Sequence, residues 1–397
     1  MVMKSTETRF YMWSDEGLDF NAGSKNFFMD RFKKILSDGY NPKTVVSVAV
    51  SGASITLEYG VAHGYVPLRV LKIESGSLAA INNGEFWINA VTPTSVTLTM
   101  DNAPPSIAGG FTTRIAPIGW QLVFEQGFIQ VYKFKHLDDT DMYCRLVYQH
   151  NAAGRNIINP AVGKSFDPLT GFINDPLGTP INGTLTEVSS GVTWEFTRSA
   201  RSSDNNQNYT QGSGSFGSAG CVGSKYHFVV NVCPTDGVEV QATNGIIPLC
   251  GLDYDVLDYP LIIGHNVGIL PTATNYSDPA ATSAGIVGAT RVVVVPRGTA
   301  MYGLDAIATV GVLPAAIDEF NTTSCAPMMA WDWNNRQFIG QIFAMLEPRF
   351  ASNNRPSSGR NDSPRVDLEV DYQNNLVLMC SAGMWLAFPL EGVKHGI

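Results

Sequence analysis

Apolar residues recur at helical spacing near the start of the chain. Phe28, Phe32, Ile35 and Leu36 fall on one face, and Asp30, Arg31, Lys33 and Lys34 supply the charge around them. Ser24 precedes the run as an N-cap, and Gly39 follows it where a left-handed C-cap belongs. The spacing predicts one N-terminal amphipathic helix. From Thr44 to Ile397 no other stretch keeps that period for more than about two turns.

The rest reads as short strands. TVVSVAV (44–50) and SITLEYG (54–60) flank a Ser51–Gly52–Ala53 turn, and VPLRVLKIES (66–75) follows. EFWINAV (85–91) and SVTLTM (95–100) flank Thr92–Pro93–Thr94 as a hairpin. QLVFEQ, FIQVYKF and MYCRLVY complete a β unit ending at 148. Residues 149–190 are rich in Asn, Pro and Gly and read as an extended linker or loop. A second series begins at GVTWEFTRSA (191–200) and runs through KYHFVVNV, VEVQA (238–242), YPLIIGHNVGIL, TRVVVVP, QFIGQIFAML, VDLEVDY, LVLMCSA and MWLAFPL. Polar loops at 202–220 and 351–364 interrupt it, and LPAAIDEF (313–320) reads as a short helix. The expected fold is mainly β, with two β-sandwich or barrel-like domains and the N-terminal helix. Residues 1–148 carry the helix plus a β domain, 149–190 the linker, and 191–397 a second β-rich domain with long polar loops.

Composition narrows the function. Only 15% of residues are charged, against roughly 25% in an average soluble protein. The surface is therefore rich in Ser, Thr, Asn and Gly, which desolvate at modest cost and suit permanent interfaces. The net charge of −9 and the lack of a dense basic patch argue against nucleic acid as a partner. No apolar stretch reaches the length of a membrane span. The N-terminal MVMKSTETRFYMWSDE has no apolar run of signal-peptide length, so reduced thiols in a cytoplasm are expected. The six cysteines form no C-x-x-C pair, and Cys144 and Cys380 read as small buried hydrophobes.

The candidate chemistry is sparse. Gly163–Lys164–Ser165 lacks the upstream glycine of a phosphate loop, since position 158 is Ile158. His136, Asp138, Asp139 and Asp141 lack the glycine and terminal glutamate of an EF-hand, and read as a charged turn. Asp253, Asp255 and Asp258 read as a solvated turn rather than as paired acids. His63, beside Gly64, reads as structural. Trp331 and Trp333 bracket Asp332 and are the candidate ligand-binding residues, because aromatic faces stack on sugars. No catalytic residue, cofactor site or metal site is assigned, and the chain does not read as an enzyme.

NNGEFWINAV (82–91), the Thr-rich strand at 94–100, RIAPIGWQLVFEQGFIQVYKF (114–134) and MYCRLVY (142–148) resemble a family of tail-associated virion structural proteins of tailed bacteriophages and prophages. That family has an aliphatic-Ala-Pro-x-Gly-Trp segment, then an aromatic and a strand ending near Tyr-Lys. VTWEFTRSA (192–200) and KYHFVVNV (225–232) lie where it has further strands, and Gly251–Leu252–Asp253 stands where it has Phe-Gly-Asp. The resemblance is specific over residues 82–148.

The resemblance implies a structural subunit of the virion tail, as a sheath-like, tail-surface or baseplate protein that acts by symmetric assembly in the host bacterial cytoplasm. Its expected partners are other copies of itself and neighbouring phage tail proteins. Two alternatives stand beside it. One is a receptor- or carbohydrate-binding tail protein that meets a host surface glycan through Trp331, Trp333 and the 202–220 loop. The other is a capsid decoration protein.

Overall fold

The structure is a computed structural model. It describes residues 8–18, 28–74, 84–149, 157–179, 182–189, 191–196, 219–232, 242–264, 283–296, 324–332, 337–349, 365–367, 375–381 and 384–390. It is mainly β. In chain order the elements are β1 (Arg9–Met12), α1 (Phe28–Lys33), β2 (Tyr40–Thr44), β3 (Ser47–Ser51), β4 (Ser54–Glu58), β5 (Val70–Glu74), β6 (Glu85–Val91), β7 (Ser95–Thr99) and β8 (Thr112–Ile115). Then come β9 (Gln121–Gln126), β10 (Ile129–Lys135), β11 (Asp141–Tyr148), β12 (Ile157–Gly163) and β13 (Trp194–Glu195). The remainder are β14 (Ala219–Ser224), β15 (His227–Val232), β16 (Ala242–Ile247), β17 (Leu249–Gly251), β18 (Leu261–Ile263), β19 (Ser283–Val287) and β20 (Thr290–Pro296), then β21 (Ser324–Asp332), β22 (Phe338–Arg349), β23 (Arg365–Asp367), β24 (Asn375–Ser381) and β25 (Met384–Leu390).

Among the described residues these strands make three sheets. A 7-stranded sheet has the order β2-β8-β5-β6-β7-β4-β3. Its two end strands are joined only by Val45 and Val46, so the chain bends the sheet back toward itself. Val45 still pairs with the β8 side, donating to Phe111 O at 2.8 Å, and Val46 already pairs with the β4 side, donating to Glu58 O at 2.7 Å. A 5-stranded sheet has the order β13-β12-β11-β10-β9. A 13-stranded sheet holds β14–β25, with β1 added at its edge.

The helix is shorter than its hydrophobic stripe. α1 covers Phe28–Lys33, and Lys34–Asp38 continue as a π-helical turn. The wider turn lets the carbonyls of Ile35 and Leu36 accept amides from outside the helix, Ile118 at 2.9 Å and Trp120 at 2.8 Å. Gly39 ends it at φ +75°, and a Cβ there would meet Ile115 O at 2.4 Å, so only glycine fits. Gly39 thus stands at the expected C-cap position, but with ψ 179° it is not left-handed helical, and the expected N-cap, Ser24, lies outside the described residues. A 3₁₀ turn at Asp255–Leu257 is a second, shorter helical element. The expected helix at 313–320 and most of the loops at 202–220 and 351–364 also lie outside the described residues.

β11 ends at Tyr148, where the first expected domain ends, and pairs with β12 in the register Tyr148↔Ile158 to Tyr143↔Gly163, so part of the expected linker is a strand. The polar residues that disguise it are satisfied locally. The buried Asn159 side chain donates to Ser189 O and Val192 O. Pro160 falls beyond the short β13 partner, where its missing N–H costs no ladder bond.

Arg145 organises the loops after β12. Its side chain is fully buried, and it donates to Gly171 O at 2.9 Å, to Asn182 O at 3.2 Å and to Leu185 O. Burial lowers its pKa to about 10, which leaves it charged at neutral pH. One guanidinium therefore gathers three loop carbonyls that no strand would satisfy.

One hydrophobic cluster runs through the helix and all three sheets. β1 pairs with β14 from Arg9↔Gly223 to Met12↔Gly220, so the N-terminal segment belongs to the largest sheet. Three residues on, Asp15 is buried against the 7-stranded sheet. Arg69 Nε and Nη2 donate to its two oxygens at 2.7 and 2.8 Å, and the Tyr40 hydroxyl donates at 2.7 Å. The Arg69 guanidinium also lies 4.4 Å from the Phe10 ring centroid. Burial opposes the charge on Arg69, but Asp15 outweighs it and raises the Arg69 pKa.

His227 closes the β14–β15 hairpin. Its Nδ1 lies 2.8 Å from Ser224 Oγ, and Nε2 has no hydrogen-bond partner among the described residues. Burial lowers its pKa from 6.5 to about 3. Between those values the unfolded chain binds a proton that the native imidazole refuses. Stability from this group is therefore complete above the unfolded value and lost as pH falls toward 3.

Both of these buried groups make measurable differences. In denaturant titrations across pH 7 to 4, wild type loses stability faster than His227→Gln, by up to about 1.4 kcal/mol per pH unit for the single proton; parallel slopes would refute this. Arg145→Lys, which keeps charge but not the fork, destabilises by roughly 2–4 kcal/mol. It also exposes 164–189 to limited proteolysis; an unchanged digestion pattern would show that the clasp is unimportant.

Candidate functional site

Three of the charged sequence motifs, far apart along the chain, meet at one surface. HLDDTD forms the β10–β11 turn. The His136 amide donates to Thr140 O at 2.9 Å, and Asp139 takes φ +67°. Asp138 Oδ1 caps the turn by accepting the Thr140 amide at 2.8 Å and its hydroxyl at 2.6 Å. Burial opposes ionisation of Asp138, but these bonds and His136 outweigh it and hold its pKa below the usual carboxylate value.

The turn docks on the largest sheet. The Lys135 amide donates to Lys225 O at 2.8 Å, and the Tyr226 hydroxyl donates to Asp139 Oδ1 at 2.8 Å. Lys164, at the end of β12, arrives beside it. Its ammonium lies 2.6 Å from Asp258 Oδ2 and 5.1 Å from the Tyr259 ring centroid. Nδ1 of the mostly buried His136 faces both Asp138 and Asp258, at 3.6 and 3.8 Å. Its Nε2 is buried with no hydrogen-bond partner among the described residues.

Asp175 is the firmest anchor. Its carboxylate accepts the Lys164 amide at 2.7 Å, the Tyr259 hydroxyl at 2.8 Å and the Leu177 amide at 3.0 Å. Partial burial raises its pKa, but the Lys164 amide, the Tyr259 hydroxyl and the Leu177 amide outweigh this, and the net shift is downward. In return, burial and Asp175 raise the pKa of Tyr259.

This arrangement joins sheets. The Lys164 amide, which a phosphate loop would turn toward an anion, is taken by Asp175, and Ser165 Oγ is bound to Asn174 at 2.6 Å. Asp258 is paired with Lys164, while Asp253 and Asp255 stand in solvent on an exposed loop. Among the described residues no group of three or more His, Cys, Asp or Glu side chains is placed to hold a metal ion.

His63 is saturated. Nδ1 accepts the Tyr65 amide at 2.9 Å, and Nε2 lies 2.9 Å from Thr92 O and 3.1 Å from Ser95 O. Nε2 holds the β6–β7 turn and Nδ1 fixes the loop at Tyr65, a structural role. The buried Cys144 is a free thiol, and the thiol of Cys221 accepts the Trp13 indole at 3.0 Å.

Trp331 lies on β21, opposite Val293 of β20 and Phe338 of β22. Its ring meets Phe338 edge to face at 5.6 Å, and its Nε1 is buried without a hydrogen-bond partner among the described residues. Trp333 lies outside the described residues. The aromatic pair at this strand end is thus Trp331 with Phe338, which is itself 39% exposed. The hairpin register decides that pairing, so the sequence motif Trp-Asp-Trp carries no sign of it.

The two aspartates separate anchoring from surface pairing. Asp175→Ala loses three bonds to a carboxylate and destabilises by about 1–3 kcal/mol. Asp258→Asn removes a solvent-exposed pair and costs less than about 1 kcal/mol, an effect that vanishes at high salt. Urea denaturation at two salt concentrations measures both; equal losses would refute the ranking.

Comparison of the chain with protein-family models, with curated proteins and with solved structures yields no match.

Proposed function

We propose that this chain is a structural subunit of a tailed-phage virion, in the tail as a sheath-like, tail-surface or baseplate component, and that it acts by symmetric assembly rather than by catalysis. In this reading its barrel-like and sandwich-like β units are building blocks whose partners are sister copies and neighbouring tail proteins. One observation carries most weight. The charge that is buried serves internal architecture, as in Asp15–Arg69 and Arg145, while apolar Val46, Val61 and Val66 stay 65%, 64% and 40% exposed, Val46 at the start of an uncharged edge strand. Exposed edges of that kind are hazards in a monomer and assets in an assembly.

A second reading is a tail protein that binds host glycans. The indole N–H of Trp331, without an acceptor among the described residues and beside the half-open Phe338 ring, favours it, because a sugar hydroxyl seated against these rings would accept that N–H.

Tagging the chain and imaging the intact particle tests the proposal. Symmetric labelling of the tail is the expected result, and labelling of the head would instead make this a capsid decoration protein. A particle without the label, or a purified monomer that turns over a small molecule, would overturn the structural reading. Quenching of tryptophan fluorescence that a glycan relieves in wild type and not in Trp331→Ala would establish the second reading.

A further inference from the structure

The free edge of β3 has a self-complementary sequence. Ser47–Val48–Ala49–Val50–Ser51 reads the same in both directions about Ala49, and no charged residue occurs between Thr44 and Leu57. β3 ends the 7-stranded sheet, with β4 on one side. Val48 and Val50 are half-buried toward the core, opposite Leu57 and Ile55, while Ser47, Ala49 and Ser51 are exposed on the outer face.

The ladder fixes which backbone groups are spare. Tyr59 donates to Thr94 O and Met100 donates to Ala53 O, so the odd-numbered residues along β4 face β7. The even-numbered Ser54, Thr56 and Glu58 then face β3, where they oppose Ser51, Ala49 and Ser47. By the same alternation, the N–H and C=O of Val48 and Val50 point away from the sheet. No backbone bond to either occurs among the described residues outside the strand ladders. Gly109 packs against Val46 and the amide of Ser47, at the start of the strand.

We infer that β3 is an interface between two copies of this chain, joined as antiparallel strands about a two-fold axis at Ala49. The inference rests on the assembly reading above and names its contact surface. Centred there, each Val48 exchanges backbone bonds with Val50 of the second copy. Valines meet valines on the core side, and Ser47 meets Ser51 outside. Ala49 meets itself in the close, non-hydrogen-bonded pair, where Cα atoms lie about 4.5 Å apart. A register shift by one residue would set valine against serine or alanine across the seam. The exposed Val46 then rests on the second copy's exposed Gly52 turn, where a Cβ would meet no atom within 4 Å.

Cysteine cross-linking tests the axis. Ala49→Cys gives a disulfide dimer on mild oxidation, which peptide mapping assigns to position 49 of both copies. Ser47→Cys, equally exposed, gives none, because its two copies would lie about 14 Å apart along the strands. Cross-linking of both variants, or of neither, overturns the inference. Ala49→Lys places like charges on the axis, and sedimentation shows a folded monomer where wild type dimerises at high concentration. Wild type that stays monomeric, or a lysine variant that still dimerises, overturns it too. Tail labelling without position-49 cross-links would leave the assembly reading intact and sink this contact; cross-links in a protein that never enters particles would do the reverse.

Discussion

Three buried tryptophans give their indole N–H to acceptors in the same sheet. Trp13, after β1, donates to Cys221 Sγ at 3.0 Å. Trp120, between β8 and β9, donates to Ser224 O at 2.9 Å, and Trp194, on β13, donates to Ile263 O at 2.9 Å. Each tryptophan comes from a different part of the chain, and each acceptor lies on the 13-stranded sheet or its rim. Two of the rings pack on the helix, Trp13 at 6.2 Å from Phe28 and Trp194 at 6.5 Å from Phe32. Phe32 lies within 6.5 Å, centroid to centroid, of Tyr148, Trp194, Phe196 and Phe228. The short helix is thus a plug among three sheets, held by aromatic area.

The few charges are used in two ways. Asp15 and Arg69 neutralise each other in a nearly dry site, with Tyr40 and the Met12 amide completing the carboxylate's bonds. A buried pair of this kind fixes an arrangement more than it adds stability, because desolvation cancels much of the attraction. It holds the N-terminal segment against the 7-stranded sheet while β1 is laced into the largest one. Arg145 has no carboxylate and is satisfied by carbonyls alone, so it shapes a loop rather than a junction. The cluster of His136, Lys164, Asp175 and Asp258 repeats the junction role at the surface, where screening makes each ion pair weak and the hydrogen bonds of Asp175 dominate.

Rigid internal joints leave the periphery to do the recognition. The β3–β4 hairpin offers an uncharged edge, and the 252–258 segment exposes Leu252, Tyr254 and Val256 around its aspartates. Both are surfaces whose backbone or apolar groups gain by being covered. A part built for permanent contact and a part built for glycan capture would share this scaffold and differ in which rim is engaged.

The amino-acid pattern alone determined the mainly β class, the helical stripe with its glycine stop, and hairpins such as 85–91 with 95–99. All are set by contacts within a few residues, and side-chain period and turn chemistry report such contacts directly. It did not determine β1, β8 or β12. RFYM and TTRI are too short to show a period, and Asn159 and Pro160 break the pattern of IINPAVG; each becomes a strand through a partner far along the chain. The same distance hid the site. Lys164 and Asp258 are 94 positions apart and Trp13 and Cys221 are 208, so no local signal links them. Only the tertiary structure decided that residues 157–163 of the expected linker form a strand and that separate charged motifs meet as one joint, because burial and hydrogen-bond satisfaction act between neighbours in space, whatever their separation along the chain.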